Sequence, residues 1–458
     1  MTPILNFNIK RRIRMIKRRL YKLYNKLFIY LPVDILIFLR NFINNATIRL
    51  DTKPSPDKRI IIFRHDGIGD YVLFRNFIEV FKKSPKFAGY KITLLGNAVW
   101  KDLAEFLDKD YINNFIWLDK KKFTADFFYR YKKFKEITSV KYEILIHPFS
   151  REFFNADNDL ACLITADKKI GSIRVPRFIK PYKKKILEKI YTELIPDIEN
   201  ILFEFYKNKN FFERILPEKI NIDRPFINLP SINPPSSSPE LSENPDLKSR
   251  VGISSPYAAF FIGASVKHRK WPAKNFAEVA RYLKTKYGHE IVLCGGKNEL
   301  SDVSEFKKHF QTSFIDTVGK ISLVELLYVI KNASLVISNE TMAPHIAMAL
   351  ANANANEASD VHIDSTNLNA PVAVSKPALI KPAVIVISTG EASYGHFVPY
   401  PKGIGDNYTA VFHPYIEKYL KEYIDITATF GHGYDDRFNI SEITVESVLR
   451  KIDKIFQL

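Results

Sequence analysis

Three short motifs, each where a predicted strand meets a predicted helix, combine acidic, cationic and hydroxyl side chains. The first is Arg64-His65-Asp66-Gly67-Ile68-Gly69-Asp70. Its two glycines allow a tight turn and the close approach of a ligand to the backbone. At the helix start, the carboxylate of Asp70 could accept a proton from a hydroxyl nucleophile. The alternative is that Asp70 only caps the helix, as aspartates at this position commonly do.

The second motif, residues 263–272, reads Gly-Ala-Ser-Val-Lys-His-Arg-Lys-Trp-Pro. A strand ends in Gly263 and Ala264, and the hydroxyl of Ser265 with nearby N–H groups can bind phosphate oxygens. The cations that follow, Lys267, Arg269 and Lys270, can offset the charge of a diphosphate. The motif therefore favours a diphosphate site, and a solvated basic loop is the alternative.

The third motif is Ser338-Asn339-Glu340-Thr341-Met342-Ala343-Pro344-His345. Glu340 and Thr341 are expected to project toward a ligand, and the free N–H groups of the following helix could bind an anion. His345, one turn into that helix, could bond a phosphate or satisfy a backbone carbonyl. Because the sequence places no Asp-x-Asp pair between strand and helix and has no Cys/His cluster, it predicts a metal-free mechanism without a cofactor.

These motifs require elements that hold them at the ends of strands. Short apolar runs alternate with amphipathic segments, which predicts parallel sheets covered by helices on both faces. The predicted strands are Arg59–Arg64, Lys91–Gly96, Phe115–Leu118, Tyr142–His147, Ala258–Ala264, Glu290–Gly295, Leu335–Ser338 and Ala383–Ser388. The sequence therefore predicts an α/β fold of two Rossmann-like, doubly wound domains that face a cleft. In such folds, ligands bind at the carboxyl ends of the strands.

The predicted domains cover residues 58–220 and 257–458. A Pro- and Ser-rich connection, residues 221–256, is expected to link them. Residues 351–382 begin with an Ala-Asn repeat and continue as a polar stretch without clear periodicity, so they are interpreted as an insertion in the second domain.

The amino-terminal segment, residues 1–50, is basic and amphipathic. Before Val33 there are nine basic residues and no acid, so half of the net charge of +18 lies in the first 26 residues. Apolar residues recur every three or four positions, from Ile9 to Leu27, which predicts a helix lying on an anionic membrane. A basic arm for nucleic acid and a helix packed on the protein itself are the alternatives. The apolar run that follows is too short to span a bilayer and makes a poor signal peptide.

The composition is that of a folded protein. With 458 residues, 46% hydrophobic and 26% charged, the chain is long enough for two or three domains, and extensive disorder, collagen and coiled coil are excluded. Its two cysteines, Cys162 and Cys294, are too few for a disulfide framework or a cysteine-based zinc site. Such low cysteine usage is typical of a reducing compartment.

Taken together and in this order, the motifs resemble the heptosyltransferase family, which is family 9 of the glycosyltransferases. The resemblance covers roughly residues 58–455, apart from the insertion. It is carried by Arg64 with Ile68-Gly69-Asp70, Gly263-Ala264, Arg269-Lys270-Trp271-Pro272, Cys294-Gly295-Gly296, Gly319–Leu326, and Ser338-Asn339-Glu340-Thr341 with His345. Two departures affect the donor side: Glu340 replaces the usual Asp, and Met342-Ala343 replaces the usual Gly-Pro.

The resemblance implies the architecture called GT-B and a role for each matching residue. Asp70 falls on the general base, and Arg269 on the cation that stabilises the departing diphosphate. Arg64, His65 and Gly69 are placed on the acceptor side. The implied donor-binding residues are Gly263, Ala264, Ser265, Lys267, Lys270, Glu340, Thr341, Met342 and His345.

The function implied is inverting transfer of a sugar, heptose from ADP-heptose, to an acceptor of the lipopolysaccharide or lipooligosaccharide core type. The expected partners are a nucleotide sugar, a lipid-linked saccharide acceptor and, through residues 1–30, an anionic membrane surface, with no nucleic acid. The expected location is peripheral, on the cytoplasmic face of the membrane. The alternatives are a nucleotide-sugar epimerase on the same fold and a non-enzymatic binder of anionic polymers.

Overall fold

A computed structural model describes residues 57–148, 156–173, 181–198, 203–229, 256–359, 382–390, 394–405, 407–421 and 438–457. The predicted amino-terminal helix and most of the predicted connection and insertion lie outside these residues. By contacts, the chain divides into two compact units. Unit 1 contains the residues before Arg64 together with Leu118–Pro196, and unit 2 contains Arg64–Trp117 together with Asp197–Leu458.

Two six-stranded sheets organise the described residues, with the orders β3-β2-β1-β4-β5-β6 and β12-β11-β10-β7-β8-β9. The strands are β1 Arg59–Arg64, β2 Lys91–Asn97, β3 Asn114–Leu118, β4 Tyr142–His147, β5 Ala166–Ile173, β6 Glu193–Pro196, β7 Tyr257–Phe261, β8 Glu290–Leu293, β9 Ile315–Asp316, β10 Leu335–Asn339, β11 Ala383–Ser388 and β12 Tyr408–Phe412. The pairings β1–β4, β4–β5 and β5–β6, and all five pairings of the second sheet, are parallel. Parallel strands need crossover connections, which the helices provide.

The helices follow the strands in the alternation expected of such sheets. They are α1 Ile68–Val72, α2 Asn76–Lys83, α3 Lys101–Leu107, α4 Lys120–Ala125, α5 Phe127–Thr138, α6 Ala156–Leu163, α7 Pro181–Ile190, α8 Glu204–Glu213, α9 Ala273–Tyr287, α10 Leu300–His309, α11 Leu323–Asn332, α12 Ala343–Ser359, α13 Pro414–Lys421 and α14 Val445–Phe456. Among the described residues, no helix has the length and apolar character needed to cross a bilayer.

The core of unit 2 is built on the second sheet. Every residue of β7, β10 and β11 is buried, as the continuous apolar runs predict for strands covered on both faces. Helices α9 and α14 bury Phe276, Leu283, Val448 and Ile452 in the same cluster. This packing fixes the ends of β7 and β10, where the second and third motifs begin.

Candidate active site

The first motif forms the turn between β1 and α1. The backbone N–H of Gly67 donates to Oδ2 of Asp70 at 3.2 Å, so the capping role is realised in the structure. Asp70 remains partly exposed, and a carboxylate oxygen that accepts one capping bond can accept a further hydrogen bond. The cap orients the carboxylate at the start of α1, and this geometry is compatible with a base.

Arg64 and His65 lie inside the protein. Arg64 is completely buried, and its guanidinium reaches Asp66 at 2.5 Å, Glu204 at 3.1 Å and Asn208 at 2.9 Å. Burial alone would lower the pKa of Arg64, but the carboxylates of Asp66, Glu204 and Asp70 raise it above the usual value. Arg64 therefore ties the turn to α8, and this buried position allows it to orient the turn but not to contact a ligand from solvent.

The first and third motifs meet at Gly69 and His345. A Cβ atom placed on Gly69 would lie 2.7 Å from Cδ2 of His345, so only glycine fits there without a shift. The ring of His345 is buried and its Nδ1 pairs with the hydroxyl of Tyr400 at 2.9 Å. Burial lowers the pKa of His345 to about 4, so the ring is neutral near pH 7. Its partner is thus a tyrosine, whereas the sequence suggested a phosphate or a backbone carbonyl.

The second and third motifs meet at an ion pair. Nη1 of Arg269 lies 3.1 Å from Oε1 of Glu340, and Ser388 donates to Oε2 of Glu340 at 2.6 Å. The side chain of Arg269 is 22% exposed, whereas Glu340 is nearly buried. The arrangement gives Arg269 a fixed position at the surface of the site, with its charge balanced by Glu340.

The other residues of the second motif differ in their surroundings. Gly263 and Ala264 are buried, and Ser265 and Lys267 are exposed. Lys270 binds both carboxylate oxygens of Asp302, at 2.6 and 2.9 Å. Lys270 is therefore held by an acid of helix α10, and the sequence did not suggest this partner.

Thr341 and Met342 immediately precede helix α12. The hydroxyl of Thr341 lies 3.0 Å from that of Ser338 and 3.4 Å from the backbone N–H of Ala343, so Thr341 caps the helix. Met342 is partly exposed beside it. A helix start of this kind leaves N–H groups that can bind an anion.

One asparagine joins these strand ends. Asn339 donates to the carbonyls of Ile262 and Gly263, at 2.8 and 3.2 Å, and accepts from the backbone N–H of Trp271 at 3.0 Å. The indole of Trp271 in turn donates to the carbonyl of Ile443 at 2.8 Å. The ends of β7 and β10 and the turn before α9 are thereby fixed against each other.

Glu299 is a site residue that the sequence did not single out. Its Oε2 accepts from the backbone N–H of Gly296 at 2.7 Å. Cβ atoms on Gly263 or Gly295 would overlap its carboxylate, so the acid lies over the ends of both β7 and β8. Burial raises the pKa of Glu299. The sequence did contain one signal for Glu299. It lies three residues after Gly296 of a Gly-Gly pair, the spacing at which an acid accepts from the backbone N–H of a capping residue.

The comparisons with known proteins agree with this fold and these motifs. Residues 209–354 match the family described as glycosyltransferase family 9 (heptosyltransferase). That span contains the second and third motifs. No curated protein matches the sequence.

Solved structures of similar fold include a family 9 glycosyltransferase from Veillonella parvula, with a TM-score of 0.60 and 18% identity over 88% of this chain and 98% of that one. The heptosyltransferase WaaC of E. coli with ADP has a TM-score of 0.56 and 13% identity, over 87% and 99%. The ADP-heptose heptosyltransferase II of E. coli has a TM-score of 0.54 and 13% identity, over 87% and 98%. The predicted two-sheet fold and the resemblance to family 9 glycosyltransferases are confirmed.

Proposed function

We propose that this chain, a glycosyltransferase by its match to family 9, transfers a sugar from a nucleotide-diphosphate donor to a hydroxyl of a saccharide acceptor, with inversion and with Asp70 as general base. The observation that carries the proposal is the contact between Gly69 and His345. It brings the turn that holds Asp70 against the helix that begins with the third motif, within one compact unit. A base and an anion-binding helix start are thus close enough to serve one reaction.

The proposed reaction is a direct displacement. Asp70 accepts the proton of the acceptor hydroxyl as its oxygen attacks the anomeric carbon. The bond from that carbon to the diphosphate oxygen breaks, and the diphosphate leaves with the electron pair. The guanidinium of Arg269 stabilises the developing negative charge, since planar guanidinium groups bind phosphate oxygens well. In this scheme Arg269 exchanges its ion pair with Glu340 for one with the donor.

The proposed donor is ADP-heptose or a related nucleotide-diphosphate sugar. The partly buried acid Glu299 supports it, because a carboxylate at the ends of two neighbouring strands can accept hydrogen bonds from the two ribose hydroxyls. Thr341, Met342 and the following N–H groups would bind the diphosphate, as would Ser265 and Lys267. The named donors of the E. coli structures are consistent with ADP as the leaving group. No metal is required in this scheme.

The proposed acceptor is a lipid-linked saccharide of the lipopolysaccharide or lipooligosaccharide core type, at the cytoplasmic membrane face. The basic, amphipathic pattern of residues 1–30 supports this location, because such helices bind anionic lipid surfaces. His65 and Gly69, beside the base, would lie on the acceptor side.

The test is a transfer assay with ADP, UDP and GDP sugars, using the wild type and Asp70→Asn. The substitution should lower turnover by about 10²- to 10⁴-fold, the usual contribution of a general base, and leave donor affinity nearly unchanged. The matched control is Asp102→Asn, which changes an exposed aspartate in the first turn of α3. Full turnover of Asp70→Asn would remove the base assignment. Conversion of the nucleotide sugar without any acceptor would indicate an epimerase.

A further inference from the structure

Helix α5 of unit 1 has two faces of different character. Phe134, Ile137 and Thr138 are buried, and Phe134 packs edge-on against Phe123 of α4 with ring centroids 5.4 Å apart. The opposite face carries Phe128, Lys132 and Lys135, spaced four and three residues apart and therefore on one side of the helix. Phe128 is 80% exposed, the largest exposure of a large apolar side chain among the described residues.

Helix α4, directly before α5, adds the exposed cations Lys120, Lys121 and Lys122. The two acids that immediately precede these helices, Asp119 and Asp126, are used as helix caps. Asp119 accepts from the backbone N–H groups of Lys121 and Lys122, at 2.9 and 3.0 Å. Asp126 accepts from those of residues 128 and 129, at 3.0 and 3.1 Å. These carboxylates satisfy the starts of two helices, which is a local structural role.

The exposed acid of α5, Glu136, pairs with Lys133, with Nζ and Oε2 2.7 Å apart. Among the described residues, no carboxylate forms an ion pair with Lys121, Lys122, Lys132 or Lys135. Elsewhere in the same unit, exposed lysines do have acidic partners: Lys141 lies 2.6 Å from Asp167, and Lys168 lies 2.6 Å from Glu193. The ammonium of Lys135 lies 5.1 Å from the ring centroid of Tyr131, which holds the charge at the surface.

We propose that Lys120–Lys122, Phe128, Lys132 and Lys135, the basic-aromatic surface, dock on an anionic lipid bilayer. A single exposed phenylalanine is common on soluble proteins and by itself indicates nothing. Here it lies among lysines, and this combination matches a bilayer surface, where an aromatic ring enters the interface while ammonium groups meet anionic headgroups. This surface does not include residues 1–30. The inference rests on the proposed function in one respect: membrane docking would bring the enzyme to its lipid-linked acceptor.

The effect can be measured with the full chain and vesicles of phosphatidylcholine, with or without phosphatidylglycerol. Each lysine near an anionic surface contributes about 1 kcal/mol, which is about fivefold in partitioning. The triple substitution Lys122→Gln, Lys132→Gln, Lys135→Gln should therefore weaken binding to the anionic vesicles by more than tenfold. Phe128→Ser should weaken it further.

The matched control is Lys109→Gln, Lys219→Gln, Lys402→Gln, which removes the same charge from exposed positions of unit 2. It should bind almost as the wild type does. A second readout is Phe128→Trp, whose fluorescence should be quenched by lipids brominated on their acyl chains, beyond the quenching of the native tryptophans. Such quenching reports insertion, which a merely structural effect would not produce.

Three results would overturn the inference. Equal losses of vesicle binding in the surface variant and in the control would mean that only net charge matters. Unchanged vesicle binding in the surface variant would mean that residues 1–30 alone bind the membrane. A loss of RNA binding as large as the loss of vesicle binding would identify a general polyanion site. Transfer to a soluble acceptor should be unchanged in the surface variant. Absence of transfer in the wild type, with vesicle binding as expected, would refute the proposed function and not this surface.

Discussion

Replacing Gly69 by alanine tests whether the contact with His345 positions Asp70. The added Cβ would lie 2.7 Å from Cδ2 of His345, whereas carbon atoms in ordinary contact are about 3.5–4.0 Å apart. The ring cannot swing aside easily, because it is buried, bonded to Tyr400 and flanked by Phe397 at 5.9 Å. The start of α1 must therefore move by roughly 1 Å.

Two magnitudes follow from this shift. Inserting a methyl group into a well-packed region costs about 1–3 kcal/mol of unfolding free energy. A displacement of about 1 Å in a catalytic group lowers the rate by roughly 100-fold. We therefore expect Gly69→Ala to lower the urea midpoint measurably and to lower turnover by about 100-fold, with little change in donor affinity.

The control and the rescue use the same assays. Gly89→Ala is the matched control, because nothing lies within 4 Å of a Cβ atom there. His345→Ala in the Gly69→Ala background removes the ring that causes the overlap, so the two substitutions should be non-additive in stability by about 0.5–3 kcal/mol. Wild-type turnover and an unchanged midpoint for Gly69→Ala would refute the positioning role of this contact.

Three further predictions concern His345, Glu299 and Cys294. Because the folded pKa of His345 is about 4 and its unfolded value about 6.5, the unfolded chain binds the proton first as pH falls between these values. Urea unfolding should therefore show a loss of up to about 3 kcal/mol over that range, and His345→Gln should lack this dependence. Glu299→Gln should weaken nucleoside diphosphate binding by roughly tenfold or more in calorimetry, since a hydrogen bond to a charged group is worth about 1.5–3 kcal/mol. Its control, Glu325→Gln, removes a similar cap at Ser322 and should cost only stability. Burial raises the pKa of Cys294 to about 12, so in a Cys162→Ala background the thiol should react with Ellman's reagent only on unfolding; rapid labelling of the native protein would contradict this burial.

The central strands were predictable because their sequences are continuous apolar runs. The bounds of β1, β4 and β11 agree with the predicted ones, and those of β2, β3 and β10 differ by one residue at one end. Strands β5, β6, β9 and β12 were missed. β5 begins with the exposed charges Asp167 and Lys168, β6 and β9 are short, and β12 is partly exposed at an edge, so none of them carries a buried apolar run.

The Ala-Asn repeat was interpreted as the start of an insertion, yet α12 continues through it to Ser359. Alanine is the strongest helix former and can carry a helix through residues of weaker propensity. The predicted domain boundaries, including the extent of the insertion, stay predictions, as do the roles of the site residues.

The motifs located the site, but most of their partners could not be predicted. Tyr400 and Ser388 reach His345 and Glu340 from segments distant in the chain, and Asp302 reaches Lys270 from another helix. Such pairings depend on how the strands are ordered in the sheet, which local periodicity does not encode. Glu299 had a local signal, yet its position over two strand ends follows only from the packing of β7 beside β8.

The bond from Trp271 to the carbonyl of Ile443 spans 172 residues of chain. Since proteins are synthesised from the amino terminus, this bond forms only after Ile443 has left the ribosome. The turn that carries Arg269 therefore depends, through Trp271, on a segment that is synthesised well after all three motifs.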